Sequence, residues 1–178
     1  RYGLVGSEMC IRDRILYLVP EIALTSQIIN RLRVHFGNKV GISHSRMNNN
    51  ERVEIWNAVN EKNKNKVQYP IILGARSSLF LPFDNLGLII VDEEHEPSFK
   101  QYHPSPRYNA RDAAIYLAYL HQAKVLLGSA TPSIESYYNA KIGKYAFVEL
   151  NSRFSDIQLP EILTVDIKKD YLKPTIKL

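Results

Sequence analysis

Short apolar runs alternate with helix-forming segments along most of the chain. Five of these runs predict β-strands, at residues 15–19, 40–43, 71–73, 88–91 and 124–127. Helical spacing and capping signals predict helices between them, from Thr25 to about Phe36, onward from Asn48, over Asn109–Leu120 and from Thr131 to about Lys141. Strands that alternate with helices in this way favour an α/β fold built on a parallel sheet.

Two of the predicted helices have recognisable start signals. Asn48 with Glu51 three residues later resembles a capping box. The helix that follows it carries Val53, Trp56 and Val59. Thr131 followed by Pro132 suits an N-cap with proline in the first helical position, so that helix is expected to begin there.

The two ends of the chain lie outside this regular pattern. Residues 1–14 show no periodicity and resemble translated library-adaptor sequence, so we expect them to be non-native or disordered. Residues 15–150 form the predicted domain, which ends with a strand at 145–150. Residues 151–178, with one predicted strand at 162–167, are expected to form a connector.

The segment Leu86–His95, which reads LGLIIVDEEH, changes from apolar to acidic at one point. The apolar run predicts a strand buried on both faces, and Asp92, Glu93, Glu94 and His95 follow it directly. Ligands of open α/β sheets bind at the carboxyl ends of strands. Adjacent carboxylates there suit a magnesium–nucleotide site, in which one orients Mg²⁺ and the next polarises a water. The alternative is an acidic turn after an ordinary core strand.

Composition narrows the class of protein without deciding it. The 178 residues are 45% hydrophobic with a net charge of +5, which allows one domain with a proper core and a polyanionic partner such as nucleic acid. No apolar run approaches the ~20 residues that a membrane-spanning helix needs, and no signal-peptide pattern is visible. The single cysteine, Cys10, excludes an internal disulfide. We therefore expect a cytoplasmic protein with no membrane partner.

Five loop motifs occur along the chain in a fixed order. They are VPEIALT (19–25), LGARSSLFLPF (73–83), DEEH (92–95), RYNARD (107–112) and GSATPS (128–133). Together they resemble the PriA family of primosomal replication-restart helicases, members of the second helicase superfamily. The resemblance covers about residues 15–153. It implies most of the first RecA-like P-loop NTPase lobe, a parallel sheet with helices on both faces.

The resemblance implies part of an ATP-dependent 3′-to-5′ DNA helicase that remodels stalled replication forks and initiates primosome assembly. The implied cofactors are ATP and Mg²⁺, with Asp92 as the metal ligand and Glu93 as the base that orients the attacking water. Glu94 and His95 complete the catalytic motif, and His95 is expected to link the nucleotide site to the rest of the motor. Judged without the family, His95 is an ordinary hydrogen-bonded loop histidine.

Two hydroxyls of the GSATPS motif have an implied role in coupling. Ser129 and Thr131 are expected to bond to the DEEH loop, so that hydrolysis is coupled to domain motion. Helix capping by Thr131 is the alternative.

The resemblance also implies a path for single-stranded and forked DNA across the same face of the lobe. Hydroxyls and amides of Thr25, Ser77 and Ser78, with the charge of Arg76, are expected to face phosphates. For Arg76 a surface salt bridge explains the residue equally well. The loop after DEEH mixes aromatic and cationic side chains suited to single strands. Its predicted DNA contacts are Phe99, Lys100, Tyr102, Arg107, Tyr108 and Arg111. The alternative is a solvated loop in which some of these side chains pack for structure.

Several segments that the resemblance implies for the complete protein are not in this sequence. It contains no GxGKT phosphate loop before the strand at 15–19, so we expect the chain itself to hydrolyse little or no ATP. The second lobe carries the family's arginine finger and zinc-binding cysteines, and Zn²⁺ is expected only there. Single-strand-binding protein and other primosome proteins follow as partners from the resemblance alone.

Two other functions compete with this interpretation. One is a different motor of the same superfamily, RecG-like or DEAD-box-like, against which DEEH followed by RYNARD argues. The other is a catalytically silent nucleic-acid-binding module, which the presence of Asp92 and Glu93 disfavours for the complete protein.

Overall fold

The computed structural model describes residues 14–60 and 69–150. Its centre is a five-stranded parallel sheet. The strands are β1 (Arg14–Leu18), β2 (Val40–Ser43), β3 (Ile71–Gly74), β4 (Leu86–Asp92) and β5 (Lys124–Gly128). Their order across the sheet is β2-β3-β1-β4-β5, so β1 and β4 lie in the middle. All four neighbouring pairs are parallel, which confirms the predicted sheet.

Four helices connect or follow the strands. They are α1 (Ser26–Phe36), α2 (Asn49–Val59), α3 (Ala110–His121) and α4 (Ile134–Lys141). Short 3₁₀ turns lie at Glu21–Ala23, Gly37–Lys39, Arg76–Phe80 and Pro97–Phe99. Of the helices that the structure describes, none has both the length and the apolar character to span a membrane.

Alternate residues of β1 face two separate cores. Leu16 and Leu18 are fully buried in a cluster that also contains residues of α2 and α3. Ile15 and Tyr17 pack on the other side, in a cluster with residues of α1. Because strand side chains point alternately to opposite faces, this division places helices on both faces of the sheet, as predicted.

Helix α2 starts as its sequence predicts, and of the three apolar residues noted in it, Val53, Trp56 and Val59, only Val59 is buried. Asn48 accepts a hydrogen bond from the Glu51 amide while the Glu51 side chain accepts one from the Asn48 amide, a complete capping box. The residues that α2 buries are Ile55, Ala58 and Val59. Trp56 stays 47% exposed on the outside.

Helix α3 packs closely against β4 and β5 through small residues. Ala110, Ala114 and Ala118 are buried at 0–1% exposure along one stripe. Small side chains let the helix backbone approach the sheet, and the spacing of four residues keeps them on one face.

Two sequence predictions about the C-terminal part are wrong. Helix α4 begins at Ile134 rather than directly after Thr131, and Ser133 supplies the capping hydroxyl by accepting from the Ser136 amide. Residues 145–150 are not a strand. An apolar alternation forms a strand only where a hydrogen-bonded neighbour exists, and the described part of the chain provides none there. The strand predicted at 162–167 lies outside the described residues.

The chain divides into two compact units, Arg1–Asn139 and Ala140–Leu178. The whole sheet and the loops that leave its carboxyl edge lie in the first unit. Because all five strands run in one direction, the loops after β1, β3, β4 and β5 emerge at the same edge. This edge is where ligands of open parallel sheets bind.

Candidate functional site

Asp92 is the last residue of β4 and the first polar group at the carboxyl edge. Its Oδ2 atom accepts a hydrogen bond of 2.9 Å from the Tyr17 hydroxyl, and its Oδ1 atom accepts the Glu93 amide at 3.1 Å. Burial, the bond to Asp92 and the negative charge of Asp92 together raise the pKa of Tyr17 to about 12. Tyr17 is therefore a permanent donor that fixes one oxygen of Asp92.

Glu93 occupies a turn that points the chain away from the sheet. Its φ of +51° lies in the left-handed region, which residues with a side chain rarely adopt. The Glu96 amide closes the turn on the Glu93 carbonyl at 2.8 Å. The Glu93 side chain is 49% exposed at this edge. A strained backbone that presents a solvent-facing carboxylate next to Asp92 fits a group that must meet a substrate.

The imidazole of His95 is held between two hydroxyls of the GSATPS loop. Its Nδ1 atom is hydrogen-bonded to Ser129 Oγ at 2.7 Å, and its Nε2 atom to Thr131 Oγ1 at 3.3 Å. The Thr131 amide in turn donates to Ser129 Oγ at 3.0 Å. The structure thus brings the two predicted coupling hydroxyls onto the DEEH motif.

The Glu94 side chain, unlike that of Glu93, is buried in a cluster of polar side chains. It is only 3% exposed, and its oxygens accept from the Ser133 amide at 2.6 Å and from Ser136 Oγ at 2.8 Å. Arg111 Nη1 lies 3.1 Å from Glu94 Oε2. Burial alone raises the pKa of Glu94, but the bonds from Ser133, Ser136 and Arg111 outweigh burial and lower it. Glu94 is therefore a buried carboxylate that positions the motif, and it has no free face for a substrate.

Arg111 is bound within the same cluster. Its side chain is 12% exposed, with Nη1 donating to Ser133 Oγ at 2.6 Å and Nε donating to Asp112 at 2.9 Å. Burial lowers the pKa of Arg111, but the bonds to Asp112 and Glu94 and their charges raise it overall. The structure places Arg111 as a link between the RYNARD, DEEH and GSATPS motifs rather than at the protein surface where it was expected to meet DNA.

Residues of the GARSS loop fall into two groups. Ser77 is exposed, whereas Ser78 is fully buried and donates to the Ser43 carbonyl at 3.3 Å. Arg76 Nη1 donates to the carbonyls of Ser98 and Lys100, at 2.9 and 3.3 Å. Ser78 was predicted to contact DNA, and its burial corrects that prediction. Arg76 joins the GARSS loop to the loop after DEEH.

The loop after DEEH is closed by its own backbone. Lys100 and Asn109 form an antiparallel bridge, and the Gln101 amide donates to the Tyr108 carbonyl at 2.8 Å. Within this loop Tyr102 and Arg107 are exposed. Lys100 and Tyr108 are half-buried.

Phe99 was predicted to stack on DNA bases, and the structure corrects this. Its side chain is 1% exposed and belongs to the core cluster on the side of α2 and α3. A ring with no free face cannot stack on a base. Phe99 instead anchors the start of the loop.

Thr25 lies on the loop after β1, at the N-cap of α1. It is exposed, and its side chain makes no capping hydrogen bond. The predicted DNA contacts that the structure leaves exposed are therefore Thr25, Ser77, Tyr102 and Arg107.

Sequence reasoning missed three residues that shape the site, namely Tyr17, Ser133 and Ser136. Tyr17 alternates with Leu16 and Leu18 along β1, so the face of the sheet on which its side chain lies could be predicted from the sequence. Its hydrogen bond to Asp92 could not. Ser133 and Ser136 are three residues apart, the spacing of an N-cap hydroxyl and the backbone amide that donates to it, and this signal was available in the sequence.

The described residues contain no group of three or more His, Cys, Asp or Glu side chains arranged to hold a metal ion. Magnesium in a nucleotide site does not require three protein ligands. Mg²⁺ in nucleotide sites is bound by one or two carboxylates, waters and the phosphates of the substrate. Asp92, with one carboxylate at the strand end, fits that donor set.

Comparison with known proteins shows what the chain is similar to. The family described as DEAD/DEAH box helicase matches residues 5–140 of the chain. Replication restart protein PriA of Bacillus subtilis (strain 168) is 42% identical over 155 residues, which cover 87% of the chain and 18% of that protein. Replication restart protein PriA of Rickettsia prowazekii (strain Madrid E) is 44% identical over 172 residues, or 96% of the chain and 26% of that protein. The resemblance predicted from the five motifs is confirmed.

The chain spans about a fifth to a quarter of the length of the curated relatives that it matches. Among solved structures, RecG bound to a three-way DNA junction covers 74% of this chain and 16% of its own, with 22% identity and a TM-score of 0.44. The C-terminal domain of Saccharomyces cerevisiae Dbp5 covers 88% of this chain and 78% of its own, with 14% identity and a TM-score of 0.44. The predicted RecA-like α/β fold class is confirmed by the family match and the parallel sheet.

Proposed function

We propose that this chain, which belongs to the DEAD/DEAH box helicase family, is part of an ATP-dependent 3′-to-5′ DNA helicase that remodels stalled replication forks and initiates primosome assembly. The similarity to replication restart proteins over most of the chain supports this function. The observation that carries the proposal is the meeting of DEEH and GSATPS at one edge, through the two hydrogen bonds of His95. A motor needs such a contact because hydrolysis must be transmitted to the parts that move.

Asp92 and Glu93 carry the nucleotide chemistry in this proposal. Asp92 would hold magnesium–ATP, with the Tyr17 hydroxyl fixing its second oxygen. The bound metal ion neutralises charge on the transferred phosphoryl group. Glu93, exposed beside Asp92 on its turn, would orient the attacking water and accept its proton.

Glu94 and His95 act through their neighbours. Glu94 fixes the position of the motif from below through Ser133, Ser136 and Arg111. His95 would report the state of the nucleotide to Ser129 and, with it, to the loop that leads into α4.

Phosphate binding belongs to the complete protein in this proposal. The sequence of 178 residues contains no GxGKT loop, whose amides and lysine hold the β- and γ-phosphates in P-loop enzymes. We expect this chain alone to hydrolyse little or no ATP. Zinc is expected only in a second lobe that is not part of this sequence.

Single-stranded DNA would cross the same edge. Thr25, Ser77, Tyr102 and Arg107 are exposed there, on the loops after β1, β3 and β4. Hydroxyls and cations along a sheet edge bind phosphates without reading the bases, as a translocating motor requires. Forked DNA, single-strand-binding protein and other primosome proteins are the partners that we propose, in the cytoplasm and near the nucleoid.

The test is DNA-stimulated ATP hydrolysis by the complete protein that carries this sequence. Replacing Glu93 with Gln removes the general base, and we expect turnover to fall roughly 100-fold or more. Glu96→Gln, three residues away on the same loop, is the matched control and should keep turnover within about twofold of the wild type. Equal turnover in the Glu93→Gln and wild-type proteins would reject Glu93 as the base.

The nucleic-acid substrate is tested in the same assay. We expect forked DNA to stimulate hydrolysis and RNA of the same length to stimulate it weakly. Stronger stimulation by RNA would reject the replication-restart assignment in favour of an RNA motor.

A further inference from the structure

A cleft opens at the carboxyl edge beside β2, away from the nucleotide site. It lies between the loop that follows β2 and the turn Arg76–Phe80, and its volume is about 330 Å³. Met47, Ile55 and Leu81 provide apolar lining. This volume is at the lower end of the range of about 300–1,000 Å³ for small-molecule sites.

Two large aromatic side chains line this cleft and remain exposed. Trp56 is 47% exposed and Phe80 is 58% exposed. The ring of Phe80 is oriented by an edge contact with Tyr108, with 5.2 Å between centroids and an interplanar angle of 84°. Two exposed aromatic rings beside apolar lining residues leave hydrophobic surface in contact with water, and a flat apolar ligand bound there would bury that surface.

Groups suited to a phosphate lie among the same residues. Arg52 lines the cleft and is held there by a 2.7 Å bond from Nη2 to the Ser45 carbonyl. Ser77, one of the exposed hydroxyls of the GARSS loop, also lines it. The Ser45 hydroxyl is engaged by the Glu21 carboxylate. A cation and a hydroxyl beside two aromatic rings match the two halves of a nucleotide.

We propose that this cleft receives one unstacked nucleobase of single-stranded DNA, with Trp56 and Phe80 contacting the base and Arg52 facing its phosphate. The inference rests on the proposed function, since it takes its ligand from the strand that crosses this edge. It adds a contact with the base itself, beyond the phosphate contacts of the motif loops. Because every base has a flat face, such a contact does not select sequence.

The test uses the 178-residue chain, in which Trp56 is the only tryptophan. Two oligonucleotides of equal length are compared, oligo-thymidylate and a wholly abasic strand, each carrying a fluorescent label. Anisotropy of the label measures binding, and intrinsic fluorescence measures contact with Trp56. We expect both strands to bind and only oligo-thymidylate to quench the tryptophan, with an affinity about tenfold higher than that of the abasic strand.

Variants locate the effect in the cleft. Phe80→Leu should lower the affinity for oligo-thymidylate about tenfold and leave the affinity for the abasic strand within about twofold. Tyr119→Leu, which alters a 77% exposed aromatic residue of α3 outside the cleft lining, should change neither affinity. The abasic affinity reports whether each variant is folded.

Three outcomes overturn the inference in distinguishable ways. Binding of both strands with equal affinity and no quenching rejects the base cleft and leaves DNA binding intact. Quenching by the abasic strand as well shows that phosphates alone alter Trp56, which also rejects the base contact. No anisotropy change with either strand rejects DNA binding by this chain, and the proposed function with it.

Discussion

Glu94 shows how one buried side chain organises residues that are distant in sequence. Its carboxylate binds Ser136, which is 42 positions further along the chain, as well as Ser133 and Arg111. A buried carboxylate is costly unless it is hydrogen-bonded and paired, and this one is both. The carboxylate therefore fixes the angle at which the DEEH turn leaves β4, and with it the place of Glu93.

The lowered pKa of Glu94 predicts how the stability of the fold changes at low pH. The ionised form is favoured in the folded state, so its contribution to stability is present above the ordinary pKa of a glutamate in the unfolded chain and is lost as the pH falls through the lower folded pKa. Glu94→Gln should reduce the free energy of unfolding at pH 7 by about 1.5–3 kcal/mol. It should also flatten the dependence of stability on pH below about 5.

Urea unfolding at pH 7 and pH 3 measures both effects. Glu54→Gln, an exposed carboxylate on α2, is the control and should change the free energy of unfolding by no more than about 0.5 kcal/mol. If Glu94→Gln matched the wild type at both pH values, the proposed stabilisation by this cluster would be wrong.

At the scale of elements, two hydroxyls near the start of α4, those of Ser133 and Thr131, have different structural roles. Ser133 Oγ accepts from the Ser136 amide and from Arg111. Thr131 is exposed, and the described contacts of its hydroxyl are limited to the bond with His95. Ser133→Ala should cost about 1–2 kcal/mol of folding free energy. Thr131→Ala should cost less than about 0.5 kcal/mol. Thermal or urea unfolding of the two variants checks this, and the reverse order would restore Thr131 as the cap.

The junction of β3 with the GARSS loop is too tight for any side chain. A Cβ added at Gly74 would overlap Ser78 Oγ and lie 2.8 Å from the Ser43 carbonyl oxygen. Gly74→Ala should therefore lower the free energy of unfolding by about 1–3 kcal/mol. At Gly128, the end of β5, the nearest atom to an added Cβ is Asp92 Oδ1 at 3.6 Å. Gly128→Ala is the matched control, and an equal loss in both variants would show that the cause is not this close approach.

Elements were easier to predict than the directions of their side chains. The strands follow from short apolar runs, and the start of α2 follows from Asn48 and Glu51, because these signals are local. Phe99 and Ser78 lie in correctly placed loops, yet both turn inward, since burial depends on the elements packed against them. The strand predicted at 145–150 failed for the same kind of reason, because pairing is not a local property.

The site itself was predictable in part. Asp92 ends a long apolar strand and Glu93 follows it directly, so their place at the sheet edge follows from the sequence. The partner of Asp92, Tyr17, lies 75 positions away, and no local pattern links the two. The arrangement of Arg111 likewise depends on tertiary contacts with Glu94 and Ser133.

At the scale of the molecule, the parallel direction of all five strands explains why the proposed nucleotide site and the proposed DNA path lie along the same edge of the sheet. The central strands β1 and β4 place Tyr17 and Asp92 side by side, while β2 and β3 place the cleft and the GARSS loop further along the same edge. Arg76 and the pair Phe80–Tyr108 join that loop to the one after DEEH. A nucleotide and a DNA strand bound along one edge would therefore share a continuous set of contacts.

Photo-crosslinking of the 178-residue chain to single-stranded DNA that carries 4-thiothymidine, followed by mass-spectrometric mapping of the linked peptides, tests this shared edge most directly. We predict crosslinks in the loops at the carboxyl ends of the strands, within residues 19–25, 75–81 and 97–109. Crosslinks confined to the opposite edge, at residues 37–39, 84–85 and 122–123, would contradict the account.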